Sequence, residues 1–256
     1  ENTLSDMNTH SIPKIIDSSQ VNKHVNFLVY SAEKLNNSKT QASIRLTYQT
    51  ILNEIKIIKD LGNKLEDSNS FLINNLNVIK NELYALNSLV ENRLSIHKKI
   101  QNKIKVLNNI NAETLLLYEN HYFNTMKNKI SINNWRVHFS EVVNLTYQAL
   151  NITKLNQLRQ NISKQKKLFT LLTEDIRYVQ EEPFIILHAY TQTLKNNNLN
   201  KNGLLELRLE QLRINGRAIG HGNFVNNLIY EFAQELEYSA IKYTQSVIKK
   251  SQKNQK

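Results

Sequence analysis

Residues 63–182 contain neither glycine nor proline. These two residues are the ones that most readily end a helix, so the stretch carries almost nothing to break one. The whole chain has only Gly 5 and Pro 2. One continuous helix across that gap would run roughly 180 Å at about 1.5 Å per residue. The chain must therefore reverse on polar turns, and the expected class is all-α: long helices folded back on one another.

Apolar residues recur at helical spacing along most of the chain. Val21, Val25, Leu28, Ala32 and Leu35 alternate steps of four and three, which puts all five on one helix face. Pro13 suits the first turn of that helix. Asn36-Asn37-Ser38-Lys39-Thr40 reads as a turn, because Asn and Ser supply local backbone hydrogen bonds. A second stripe is Ile44, Tyr48, Ile51, Ile55, Ile58, Gly62 and Leu65; it is expected to end near Glu66, with Asp67 or Ser68 capping the next helix. The third helix opens with Leu72, Leu76, Ile79, Leu83, Leu86 and Val90, continues through Ile100, Ile104 and Leu107, and closes with Leu115, Tyr118 and Tyr122. Its expected span is about 69–130, with Ser131 to Asn134 as the turn and Asn133 or Asn134 as the next cap.

A shorter helix carries Trp135, Phe139, Val142 or Val143, Thr146 and Leu150. After a break at Asn151 to Thr153, another carries Leu155, Leu158, Ile162, Leu168 or Phe169, Leu172, Ile176 and Val179. Glu181-Glu182-Pro183 suits a helix start, with acids and Pro in the first turn. A helix from Phe184 to Lys195 is interrupted by the run Asn196 to Gly203. The last helix, about Leu204 to Ser251, has the stripe Phe224, Leu228, Phe232, Leu236, Ala240, Tyr243 and Val247.

Lengths dictate how these helices pair. The first two are each about half of the third, so they match its first half; the next two match its second half, and the final segments return along its full length. The expected fold is two stacked four-helix bundles sharing two long helices. One bundle takes approximately 10–100 plus 204–254 and the other approximately 101–203. Both chain ends then emerge at the same end of an elongated rod.

The absence of cysteine excludes thiol nucleophiles, disulfides and Cys-ligated metals. No apolar run approaches the roughly 18 residues needed to span a bilayer; the richest is Phe184-Ile185-Ile186-Leu187. Glu1-Asn2-Thr3 lacks the regions of a signal peptide, so the chain reads as a soluble piece of something longer. The net charge of +11 is spread among acids on every helix. The densest basic groups, Lys164 to Lys167 and Lys249 to Lys253, are not interleaved with aromatics that stack on bases, so nucleic acid is not an expected partner. None of the seven His has Glu three residues before it, and no HExxH or Gly-rich phosphate loop is present. The chain is read as non-catalytic, with no metal and no cofactor.

The pattern resembles the extracytoplasmic sensor domains of hybrid histidine kinases of the trimethylamine-N-oxide sensor type, and is similar to the helical bimodular sensor domains of some chemoreceptors. The resemblance rests on Ser11-Ile12-Pro13-Lys14-Ile15-Ile16-Asp17-Ser18-Ser19-Gln20 and on Leu86-Asn87-Ser88-Leu89-Val90-Glu91-Asn92-Arg93-Leu94. It rests also on Leu207-Arg208-Leu209-Glu210-Gln211-Leu212-Arg213 followed by Gly216-Arg217 and Asn223-Phe224. It implies one sensor domain over residues 1–256, flanked by transmembrane helices outside this chain, in the periplasm as part of an inner-membrane histidine kinase that acts as a homodimer in a two-component system. The bundle holding the termini would be membrane-proximal and the other membrane-distal. In the kinase relatives the partner is a periplasmic binding protein that carries the ligand; in the chemoreceptor relatives a small organic acid binds directly. A soluble helical adaptor is the reading from another class.

Three groups of residues are candidate sites. Asn133, Asn134 and Trp135, with Glu182, Pro183 and Phe184 on the facing turn, form the tip farthest from the termini, a candidate partner surface with the only Trp as anchor. Its alternative is a Trp that caps the distal core. Arg45, Arg208, Arg213 and Arg217 are candidates for binding a carboxylate, guanidinium groups being suited to that anion, against a reading as surface Arg partnered by Glu206 and Glu210. Gly216, Gly220 and Gly222 each cost about 1 kcal/mol relative to Ala in a helix, and are read as a hinge or as points of close packing.

Overall fold

The computed structural model describes residues 12–63, 69–119, 129–177, 179 and 182–253. Among them there are helices and no strand. In chain order they are α1 (Ile12–Asn36), α2 (Gln41–Gly62), α3 (Asn69–Glu119), α4 (Lys129–Asn151), α5 (Leu155–Ile176), α6 (Glu182–Leu199) and α7 (Leu204–Lys253). The chain divides into two compact units, residues 1–94 with 216–256, and residues 95–215. Helices α3 and α7 each contribute residues to both.

The first unit is a bundle of α1, α2, the early part of α3 and the later part of α7. Its core joins Val25 and Leu28 of α1, Ile51 and Ile58 of α2, Ile79 and Leu83 of α3, and Ile229 and Phe232 of α7. Burying each such side chain contributes about 1.5–3 kcal/mol. The turn between α1 and α2 is closed by the residue types expected there. Thr40 sits in extended backbone, and its hydroxyl accepts a hydrogen bond from Ser43 N at 3.1 Å, capping α2. At the other side of the turn Arg93 of α3 donates to the carbonyls of Asn36 and Ser38. A cation at a helix C-terminus satisfies orphan carbonyls and the helix dipole together. Burial pulls the Arg93 pKa below its ordinary value.

The second unit packs Leu107 and Ile110 of α3 with Trp135 and Phe139 of α4, Phe169 and Leu172 of α5, and Leu187 and Leu194 of α6. A further cluster joins Ile96 and Ile100 to Leu204, Leu207 and Ile214. A buried polar chain crosses this unit. Asn198 Nδ2 donates to Thr146 Oγ1 at 2.7 Å and to Gln165 Oε1 at 3.2 Å. Gln165 Nε2 passes to Asn161 Oδ1 at 2.8 Å, and Asn161 Nδ2 ends on the Leu145 carbonyl at 3.0 Å. These partners make burial of the four side chains tolerable.

The structure departs from the expected boundaries in three places. Ser131 to Asn134 are not a turn: α3 ends at Glu119, and these residues lie in the first turns of α4. Ile132, Trp135 and Phe139 all bury on the same core, and that packing overrides the capping preference of Ser and Asn. The expected cap at Asp67 or Ser68 lies outside the described residues, and α2 ends earlier, at Gly62. Asn196 to Asn198 do not interrupt α6, which runs on to Leu199 because Asn197 and Asn198 are buried and bonded. The break is confined to Asn200–Gly203, where Asn202 has φ 63 and Gly203 lies against the carbonyls of Asn198 and Asn200. A Cβ on Gly203 would stand 2.7 Å from both oxygens.

Two stripes also differ in phase. In α7, Val225 rather than Phe224 joins Phe232 and Leu236 in the core, while Phe224 is exposed with its ring 6.0 Å from His221. In α3, Ile110 and Thr114 are buried and Leu115 is exposed; Tyr118 and Tyr122 fall outside the residues whose side chains are described.

Candidate functional site

In the second unit α4 meets the middle of α6, where Trp135 Nε1 donates to Thr191 Oγ1 at 2.8 Å. Asn133 and Asn134 are exposed on the first turns of α4. Phe184 is half-buried on α6 and stacks on His188 with centroids 5.6 Å apart. Glu182 opens α6; its side chain and that of Pro183 lie outside those described.

Trp135 corrects the expectation of an exposed anchor. Its side chain is 0% exposed, it stacks on Phe139 at 4.7 Å, and it belongs to the core cluster. It presents no surface to a partner. Its position fits the alternative reading, a ring that closes the core beneath Asn133 and Asn134.

The four arginines divide between the units: Arg45 and Arg217 belong to the first, Arg208 and Arg213 to the second. Arg45, Arg213 and Arg217 are exposed. Arg208 is half-buried. Its guanidinium donates to the Ile152 carbonyl at 2.9 Å and to Gln211 Oε1 at 2.5 Å, with no carboxylate partner among the described residues. Glu206 reaches back to Asn202 N at 2.7 Å instead. Arg208 Nε is buried without an acceptor, and burial lowers the Arg208 pKa. A half-buried cation with a spare donor can take an anion, but the Ile152 carbonyl and the Gln211 side chain already hold two of its nitrogens.

The three glycines lie inside α7, which is helical throughout. Gly216 and Gly220 are exposed, and an added Cβ would touch nothing within 4 Å at either. Close packing therefore does not explain them. Gly222 does pack: its Cβ position lies 2.6 Å from Asn36 Nδ2. The division between the units within α7 falls between Asn215 and Gly216.

The buried residues Asn161, Gln165, Asn197 and Asn198 were not singled out from the sequence. The signal was there in part, since Asn197 and Asn198 stand three and four residues after Leu194, on its face. Among the described residues no group of three His, Asp or Glu is placed to hold a metal ion, and no helix is long and apolar enough to cross a membrane.

The sequence matches no protein-family profile and no curated protein. Solved structures do match. The V. parahaemolyticus histidine kinase sensor TorS sensor domain superposes with a TM-score of 0.73 at 16% identity, over 90% of this chain and 99% of that one. The TorS sensor domain in its complex with TorT in the presence of TMAO gives 0.66 at 13% identity, with the same coverage. The all-α fold described above is the fold of the TorS sensor domain.

Proposed function

We propose that this chain is the extracytoplasmic sensor module of a membrane-bound histidine kinase, and that it detects its ligand through a periplasmic binding protein. The observation that carries this reading is the fold shared over 90% of the chain with sensor domains, one of them solved with a second protein, TorT. In this reading the module is non-catalytic, is anchored by transmembrane helices on either side, and works as a homodimer in the intact receptor. The partner surface is the end of the second unit that carries Asn133, Asn134, Glu182 and Phe184, with Trp135 holding that end in shape from beneath. The signal passes by displacement of α7, with Gly216, Gly220 and Gly222 as the hinge. The unneeded bareness of Gly216 and Gly220, at the division between units, supports that role.

The test is affinity capture from periplasmic extract on the immobilised chain, with and without candidate small molecules. A single periplasmic binding protein is expected, retained in a ligand-dependent way and lost with Asn133→Arg or Phe184→Glu. Retention of no periplasmic protein overturns the reading.

A second reading, direct sensing of a small organic acid by Arg208 with Arg213 in the second unit, is supported by the buried Arg208 Nε that has no acceptor. Calorimetry with small dicarboxylates tests it; no heat with any acid ends it.

A further inference from the structure

Helices α1 and α2 of the first unit are bound along most of their length by the Val21–Leu35 and Ile44–Ile58 stripes, yet their outer faces part around a cleft. Its volume is about 330 Å³, and it lies between Phe27, Tyr30, Ser31 and Lys34 of α1 and Leu46 and Thr47 of α2, with Ser43 and Thr50 at its edges. That size falls at the lower end of small-molecule sites.

The lining is divided by chemistry. Part of it is apolar: the rings of Phe27 and Tyr30 stand 6.0 Å apart at 43°, and the exposed Leu46 joins them. The rest is polar. Ser31 is 2% exposed and Thr47 is 5% exposed. Neither hydroxyl has a protein hydrogen-bond partner among the described residues, although the neighbouring Ser43 and Thr50 hydroxyls are used, on Ser38 Oγ at 3.0 Å and on the Leu46 carbonyl at 3.0 Å. Neither oxygen is sealed from the cleft, so both hydroxyls are free to bond a group that enters it. At the rim, Lys34 is the one charged side chain of the lining, and it has no carboxylate within ion-pair reach among the described residues.

We infer that this cleft binds a small organic monoanion with one flat apolar ring, its carboxylate received by the Lys34 ammonium and the Ser31 and Thr47 hydroxyls, its ring lying against Phe27, Tyr30 and Leu46. A cation and two free hydroxyls in one lining call for an acceptor-only group. The aromatic wall calls for a planar body. The cleft uses none of the residues assigned to the partner surface or to the arginine group, so the inference goes beyond the proposed function and survives or fails without it.

The probe is benzoate, titrated into the isotopically labelled full chain and followed by two-dimensional amide NMR, with benzamide as the neutral isostere. Saturable shifts are expected at residues 27–34 and 43–50. Benzamide and the exposed-site variant Lys34→Gln should each bind about tenfold more weakly or less, since a hydrogen bond to a charged group contributes about 1.5–3 kcal/mol. Thr47→Val, which keeps the shape of the side chain, should weaken benzoate but leave the spectrum otherwise unchanged. Three results would overturn the inference: no saturable shift at millimolar benzoate, equal binding of benzamide, or shifts centred on residues 208–213. A failure to capture any periplasmic protein would leave it intact.

Discussion

Truncating Trp135 to Ala removes a ring that stacks on Phe139 and takes away the N–H that reaches Thr191 Oγ1. The expected cost is about 3–5 kcal/mol, as for other large-to-small changes in a core. Chemical denaturation followed by circular dichroism measures it; a loss under about 1 kcal/mol would mean that the site collapses around the gap. Because this variant weakens the second unit as a whole, partner binding should be tested on the exposed Asn133 and Phe184 instead. The residue scale is also where the sequence was least legible. A lone Trp beside two asparagines fits a core plug better than a surface anchor but does not exclude the latter, and its full burial with the bond to the α6 hydroxyl decides between them. Arg208 shows the same difficulty. Its neighbours Glu206 and Glu210 suggest a salt-bridge partner, but Glu206 is occupied with Asn202 N and the guanidinium turns to a carbonyl and an amide.

Among elements, the stripes of α1, α2 and early α3 were readable because each sequence has one apolar face and no competitor. Val21 to Leu35, Ile44 to Ile58 and Leu72 to Val90 are buried in the order expected, with Tyr48 only partly so. The pattern became ambiguous where two adjacent faces are both apolar. Phe224 with Leu228 and Val225 with Ile229 are both valid helical pairs, and the neighbouring helices select the second. Boundaries set by Asn and Ser were unreliable for a related reason: the same side chains cap helices when exposed and form networks when buried. Helix α7 carries its own prediction. Gly216→Ala with Gly220→Ala should stabilise the chain by about 1 kcal/mol per site, raising the melting temperature by about 2–4 °C for each kcal/mol. In the intact receptor the same pair should reduce signalling if the helix bends there. A higher melting temperature with signalling unchanged would remove the hinge.

For the molecule as a whole, the all-α class, the long third and last helices and the existence of two units follow from a chain almost free of helix breakers, which leaves length as the main constraint on pairing. What length alone does not specify is chemistry: the polar chain from Asn198 to Asn161 and the cleft between α1 and α2 depend on which hydroxyls and amides find partners. One topological feature carries a last consequence. Residues 95–215 form a single uninterrupted stretch, whereas the first unit is assembled from segments on both sides of it. The second unit is thus a guest threaded into a host, entering along α3 and leaving along α7. Within the host those two helices are already neighbours, since His221 contacts the Glu82 carbonyl at 3.0 Å. Excising the guest and splicing Leu94 to Gly216 through a short polar loop should leave a miniature four-helix protein with its own cooperative melting transition. A spliced chain that stays unfolded would show that the host depends on its guest.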